Sequence, residues 1–305
     1  MLEGVLFFPV TPFAADGSVD HDALAQHLSQ GVEHGPGGVF TACGTGEFHA
    51  LSSTEVAAVV ATTVRTVAGA VPVYAGTGGP IAQAVEQAEA AARAGADGIL
   101  LLPPYLVQGP QDGLVDYVTQ VAGATSLKVI VYHRGVSQFT ESSASRIAAL
   151  PTVVGLKDGA GDVDTMSRIV RTVRDSHPTE QDFQFFNGLP TAEATQRAYR
   201  SIGVPLYSSA AFAFAPAVAL AFYRALEADD DATLARLERE FYHPLVRLRN
   251  TTPGYAVSLV KAGVARFTGV AAGSVRAPLV DPAPQHLAEL DRIYAAGMAA
   301  AADPA

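Results

Sequence analysis

The chain has 305 residues, 49% of them hydrophobic and 16% charged, against roughly 25% charged residues in an ordinary soluble domain; this composition implies a large folded protein, and the length fits either two domains or one α/β barrel. Thirty acidic residues against 20 basic ones leave a net charge of −10, which repels phosphate backbones and anionic headgroups and argues against nucleic-acid and membrane partners. The one cysteine, Cys43, cannot form an intrachain disulfide, and Met1-Leu2-Glu3 carries an acid where a secretory signal has basic residues, so a cytoplasmic protein is expected.

Along the chain, short apolar runs rich in β-formers end in Gly/Pro/Ser/Thr turns and lead into Ala-rich stretches of helical spacing. Eight runs are predicted as strands: 4–11 (GVLFFPVT), 37–44, 71–78, 97–104, 127–134, 153–159, 183–189 and 204–210. Helix starts are marked by Asp20 or His21, by Ser52-Ser53-Thr54-Glu55 and by Asp162. Two uncharged stretches, 66–85 and 201–223, are long enough to suggest a membrane span. Pro72, Gly76, Gly78, Gly79 and Pro80 interrupt the first and Pro205 and Pro216 the second, so each is predicted as a buried strand running into a helix. Nearly continuous apolar runs suit parallel strands covered on both faces. Eight βα units therefore predict an α/β fold, a (β/α)8 TIM barrel over 1–228. More charged helical stretches at 229–249, 255–268 and 284–299 predict a C-terminal helical extension, 229–305, packed on the barrel.

Functional groups of such a barrel sit at the C-terminal ends of its strands. Of three lysines, Lys128, Lys157 and Lys261, only Lys157 falls late in a predicted strand, on one face with Val153 and Gly155 by period two. A lysine among apolar side chains loses hydration of its ammonium form, so its pKa falls from about 10.4 and the nucleophilic amine becomes available to a carbonyl. Position alone leaves open a structural lysine paired with a carboxylate such as Asp158. Tyr132 shares a strand face with Ile130 and Arg134, while His133 turns the other way. The phenol can shuttle protons and the guanidinium can clamp a carboxylate. Taken alone, however, Tyr132 reads first as a core tyrosine with its hydroxyl capped by backbone. In Gly44-Thr45-Gly46-Glu47, small residues let N–H groups approach an anion and Thr45 adds a donor, which makes a candidate carboxylate site. Gly76-Thr77-Gly78-Gly79 is similar in composition but has neither phosphate-loop spacing nor a dinucleotide fingerprint. Histidines are scattered, and Asp16, Ser18, Asp20 and Asp22 imitate only the first half of a calcium loop. Neither a metal nor an organic cofactor is expected.

PVTPF (9–13), GTGE (44–47) and the strand ends at Tyr132 and Lys157 resemble the dihydrodipicolinate synthase and N-acetylneuraminate lyase superfamily of Schiff-base barrels, over about Gly4 to about Leu290. ACGTGEF (42–48), LLLPPYL with QDG (100–113), VVGLKDGAGD (153–162), GLPTAE (188–193), GVPLYSSAAF (203–212), GYAVSLVKAG (254–263) and VRAPL (275–279) look most like its 5-dehydro-4-deoxyglucarate dehydratase branch. The resemblance implies an imine at Lys157, proton transfer by Tyr132, and a keto-acid carboxylate at Gly44, Thr45 and Gly46. It places Arg134, Asn187, Ser208 and Ser209 near the pocket and implies a homo-oligomer, commonly a tetramer built from dimers. The implied reaction converts a keto-deoxy sugar diacid, 5-dehydro-4-deoxy-D-glucarate, to 2,5-dioxopentanoate, carbon dioxide and water. The alternatives are a retro-aldol lyase or synthase handling a related 2-keto-3-deoxy acid and pyruvate, and a non-catalytic keto-acid-binding barrel. The chain departs from the branch at His133, usually Asn. It departs from the synthases in its single GTGE threonine and in Leu106, which stands where they carry a second tyrosine.

Overall fold

The structure, a computed structural model, describes residues 1–177 and 183–302. Every predicted apolar run contains a strand: β1 (Leu6–Phe7), β2 (Gly38–Thr41), β3 (Val73–Thr77), β4 (Gly98–Leu101), β5 (Lys128–His133), β6 (Val153–Asp158), β7 (Gln184–Asn187) and β8 (Leu206–Ser209). They pair in parallel and in chain order, and Leu6 and Phe7 pair with Ser208 and Ser209 to close the barrel. The strands are shorter than the runs because the last residues of each run leave the ladder. Pro9 has no N–H to donate after β1, and Ala42 turns left-handed (φ 51°) after β2, so Gly44–Glu47 is a loop.

Helices α1 (His21–Glu33), α2 (Ser53–Val67), α3 (Ile81–Ala94), α4 (Gln111–Gly123), α5 (Glu141–Ala148), α6 (Val163–Ser176), α7 (Glu193–Ser201) and α8 (Pro216–Glu227) alternate with the strands. The anticipated starts have a physical cause. The Asp20 and Asp162 side chains accept the N–H groups of Ala23 and Thr165, and Ser52 forms a reciprocal box with Glu55, satisfying donors the first helical turn leaves free. The extension comprises α9 (Asp231–Leu237), a π turn (Glu238–Tyr242), α10 (His243–Arg249), α11 (Tyr255–Phe267) and α12 (Pro284–Ala302). Helix α12 packs on α8 and α10; residues 303–305 of the anticipated extension lie outside the described residues. The two uncharged stretches fold as β3 into α3 and β8 into α8, and no helix among the described residues is long and apolar enough to cross a membrane.

One apolar core fills the space between strands and helices, and a second, inside the barrel, gathers Leu6, Phe8, Phe40, Tyr74, Leu100 and Phe186. Within the inner core the rings of Phe8, Phe40 and Tyr74 stack at centroid distances of 4.7 and 4.9 Å. This column excludes water from below the mouth. Phe40 is 1% exposed in the middle of it, so Phe40→Ala is expected to destabilise the fold by about 3–5 kcal/mol, the usual cost of emptying a buried aromatic site. Chemical denaturation measures this, and a loss under about 1 kcal/mol would mean that the barrel interior collapses around the gap.

Candidate active site

Lys157, one residue from the end of β6, stands beside Tyr132 of β5 in the ladder. The face anticipated for Lys157 is only partly present. The register runs Val129 to Val153 and then Ile130 to Gly155, so β6 carries one extra residue there. That bulge sends Val153 to the outer core and packs Val154 against the inner one, while Gly155 stays beneath Lys157.

The lysine amine lies 4.3 Å from the Phe8 ring centroid and 4.6 Å from that of Tyr132, and the side chain is buried. Among the described residues it has no carboxylate partner. Asp158 faces the opposite side of the strand, where it accepts from the Tyr199 hydroxyl and the Ala160 N–H. Burial without a counter-ion penalises the ammonium form, and the positive charge of Arg134 acts in the same direction. Burial dominates an opposing pull from Cys43, and the Lys157 pKa falls to about 7.

The Tyr132 hydroxyl donates to the Gly188 carbonyl at 2.7 Å and accepts from Arg134 Nη1 at 3.0 Å. Burial raises its pKa, and Arg134 opposes the rise. Two glycines create the room for this pair. A Cβ at Gly188 would fall 2.6 Å from Lys157 Cε, and one at Gly159 would fall 2.7 Å from the Tyr132 ring. His133, facing away, accepts the Phe139 N–H on Nδ1, which leaves its Nε2 hydrogen toward Asp158 at 4.0 Å.

The loop after β2 is bracketed by two non-glycine residues in left-handed conformation, Ala42 (φ 51°) and Glu47 (φ 58°). Each costs about 1–2 kcal/mol, which the surroundings must offset. Gly44 and Thr45 line the cavity above Lys157, while Gly46 is buried and its carbonyl accepts Thr11 Oγ1 at 2.7 Å. The N–H groups of Thr45 and Gly46 have no acceptor among the described residues, so the loop can offer main-chain donors to an anion.

The cavity, of about 860 Å³, brings Lys157, Tyr132, Arg134, Gly44, Thr45 and Ser208 together at the barrel mouth. Gly46, Asn187 and Ser209, expected near the substrate, do not line it. Asn187 is fully buried, its amide donating to the Ala192 carbonyl, Thr195 and Gln196, and its carbonyl accepting the Leu189 N–H. Ser209 donates to buried Glu193 and accepts the Phe212 N–H. Alternation along β7 and β8 turns Asn187 and Ser209 outward, where they tie the two strand ends to α7. Burial raises the Glu193 carboxyl to about 7. Sequence reasoning missed Phe8, Gly159 and Gly188, whose importance lies in what they face across the barrel. It also missed the extension's share of the mouth, where Gly254, Ala256, Val257 and Leu279 line the cavity.

The profile of the Dihydrodipicolinate synthetase family matches residues 1–296. A protein of Streptomyces coelicolor named Probable 5-dehydro-4-deoxyglucarate dehydratase 1 is 54% identical over 294 residues, covering 96% of this chain and 92% of that one. A protein of Azotobacter vinelandii named Probable 5-dehydro-4-deoxyglucarate dehydratase is 43% identical, covering 94% and 93%. Among solved structures, dihydrodipicolinate synthase from Oceanobacillus iheyensis superposes with a TM-score of 0.89 at 22% identity over 98% of this chain and 97% of that one, a likeness of fold.

The local prerequisite of the site is an amine that is neutral near neutral pH. After reductive methylation with ¹³C-formaldehyde, the Lys157 resonance is expected to titrate with a midpoint near 7. A midpoint near the ordinary lysine value of about 10.4 would mean that water or a counter-ion reaches the amine.

Proposed function

The chain belongs to the dihydrodipicolinate synthetase family, and from that premise we propose that it is a lyase, a 5-dehydro-4-deoxyglucarate dehydratase that releases 2,5-dioxopentanoate, carbon dioxide and water. The relatives that share this name at 43–54% identity support the substrate. The observation that carries the chemistry is the buried Lys157 amine, unpaired among the described residues, over the Tyr132 ring in the wall of the cavity.

In this reading the neutral amine attacks the substrate ketone and water leaves, giving a protonated imine. The imine acidifies the neighbouring methylene, whose proton is removed. The resulting enamine expels the β-hydroxyl, which takes up a proton and departs as water. The conjugated iminium then accepts the electron pair of the bond to the distal carboxylate as carbon dioxide leaves. Protonation of the dienamine and hydrolysis return Lys157 and the product. The net change from substrate dianion to product monoanion consumes one proton. Tyr132 would carry protons in this reading, a role supported by its hydroxyl hydrogen resting on a carbonyl it can leave and by Arg134, which can stabilise the phenolate. Gly44, Thr45 and Gly46 would hold the carboxylate next to the ketone. Arg134 and Ser208 would meet the distal end, with Asn187 and Ser209 keeping the wall in place.

The chain is further proposed to act as a homo-oligomer, a dimer or tetramer. Three consecutive apolar residues at the rim, Tyr105, Leu106 and Val107, are 66–77% exposed, a surface that a second copy would cover. A reducing cytoplasm suits Cys43, a buried free thiol whose pKa burial pushes up to about 12.

The keto-deoxy diacid is expected to yield carbon dioxide and 2,5-dioxopentanoate in equal amounts, with proton uptake in a pH-stat and no pyruvate. Pyruvate as main product would replace this reading with retro-aldol cleavage at the same lysine, and no turnover would favour a binding barrel. Tyr132→Phe is expected to keep the fold and slow turnover by about 10² or more, the scale of a positioned proton-transfer group. Turnover close to wild type in that variant would make Tyr132 a packing residue.

A further inference from the structure

Lys261, in α11, is 1% exposed and donates to Glu47 Oε1 at 2.7 Å; the Glu47 side chain is 0% exposed. The other carboxylate oxygen accepts the Arg276 N–H at 2.8 Å. The Arg276 guanidinium grips Glu55 at 2.6 and 3.1 Å and the Ala50 carbonyl at 2.8 Å. The Phe13 ring lies 3.8 Å from the lysine amine and 4.1 Å from that guanidinium, and Phe13 donates its N–H to the Ala272 carbonyl at 3.1 Å. Two cations and two carboxylates thus join the C-terminal extension to the loops after β1 and β2 and to the first turn of α2. The cluster sits next to Thr45 and Gly46 without lining the cavity.

We propose that Lys261 and Arg276 are positioning residues for substrate binding, acting through Glu47 to hold the Gly44–Gly46 loop in the shape that presents its N–H groups to the keto-acid carboxylate. The inference rests on the reading of that loop as the carboxylate site. Glu47 is left-handed without being glycine, a conformation kept only when the surroundings over-determine it. Here both carboxylate oxygens are held from the extension, and Thr11 holds the neighbouring Gly46 carbonyl. Without the lysine charge, Glu47 would be a buried anion short of its partner, which must take up a proton or swing out. Either change frees φ of Glu47 and turns the two N–H groups off the anion. Lys157 is anchored separately, on β6, so imine formation at saturation is spared.

The test is borohydride trapping of the imine at increasing concentrations of pyruvate, and of methyl pyruvate, which keeps the ketone and lacks the charge. Lys261→Met and Glu47→Gln are each expected to raise the half-saturating pyruvate concentration about tenfold, the loss of one charged hydrogen bond. The saturating rate should stay within about threefold of wild type and methyl pyruvate should be unaffected. Lys261→Arg, which keeps the charge, should recover most of the pyruvate affinity. If Lys261→Met does not fold, Glu47→Gln, nearly identical in shape, decides alone. Equal losses for both probes, or unchanged pyruvate affinity, would overturn the proposal while a wild-type preference for pyruvate left the carboxylate site standing. A wild-type enzyme indifferent to the charge would remove the carboxylate reading and this inference with it.

Discussion

The cost of burying an uncompensated ammonium group at Lys157 is the constraint on which the rest of the site depends. The amine rests among the rings of Phe8 and Tyr132, with Asp158 turned to the far side of the strand. A carboxylate at contact distance would restore the cation and remove the nucleophile. The inner column of Phe8, Phe40 and Tyr74 is therefore part of the chemistry as well as of the core: it keeps water away from the amine from below.

Around that amine the barrel divides the work among layers. Strands β5 and β6 set Tyr132 and Lys157 side by side. Their approach depends on the missing side chains at Gly159 and Gly188. Outward-facing Asn187 and Ser209 fasten the ends of β7 and β8 to α7, so Ser208 is presented on a fixed edge. The extension takes part from two directions. The start of α11 walls the mouth, and its interior lysine reaches the loop after β2.

Much of this was legible in the sequence because it is local. Alternating apolar runs, the caps at Asp20, Ser52 and Asp162, and the late strand position of Lys157 each depend on a few neighbouring residues. What escaped depends on partners far along the chain. The bulge at Val153 is set by pairing with β5, and nothing in its own strand reveals it. Asn187 and Ser209 have the right residue types for a substrate site, yet strand alternation combined with buried partners at Gln196 and Glu193 turns them away. Lys261 looked like an ordinary helical lysine because Glu47 lies 214 residues earlier.

The measurement closest to the central claim is peptide mapping after incubation with pyruvate and borohydride across a pH series. The account predicts that mass is added only to the peptide holding Lys157, that labelling rises through about pH 7 as the amine loses its proton and then levels off, and that Lys157→Ala abolishes it. Labelling that persists in that variant, or that resides on Lys128 or Lys261, would contradict it.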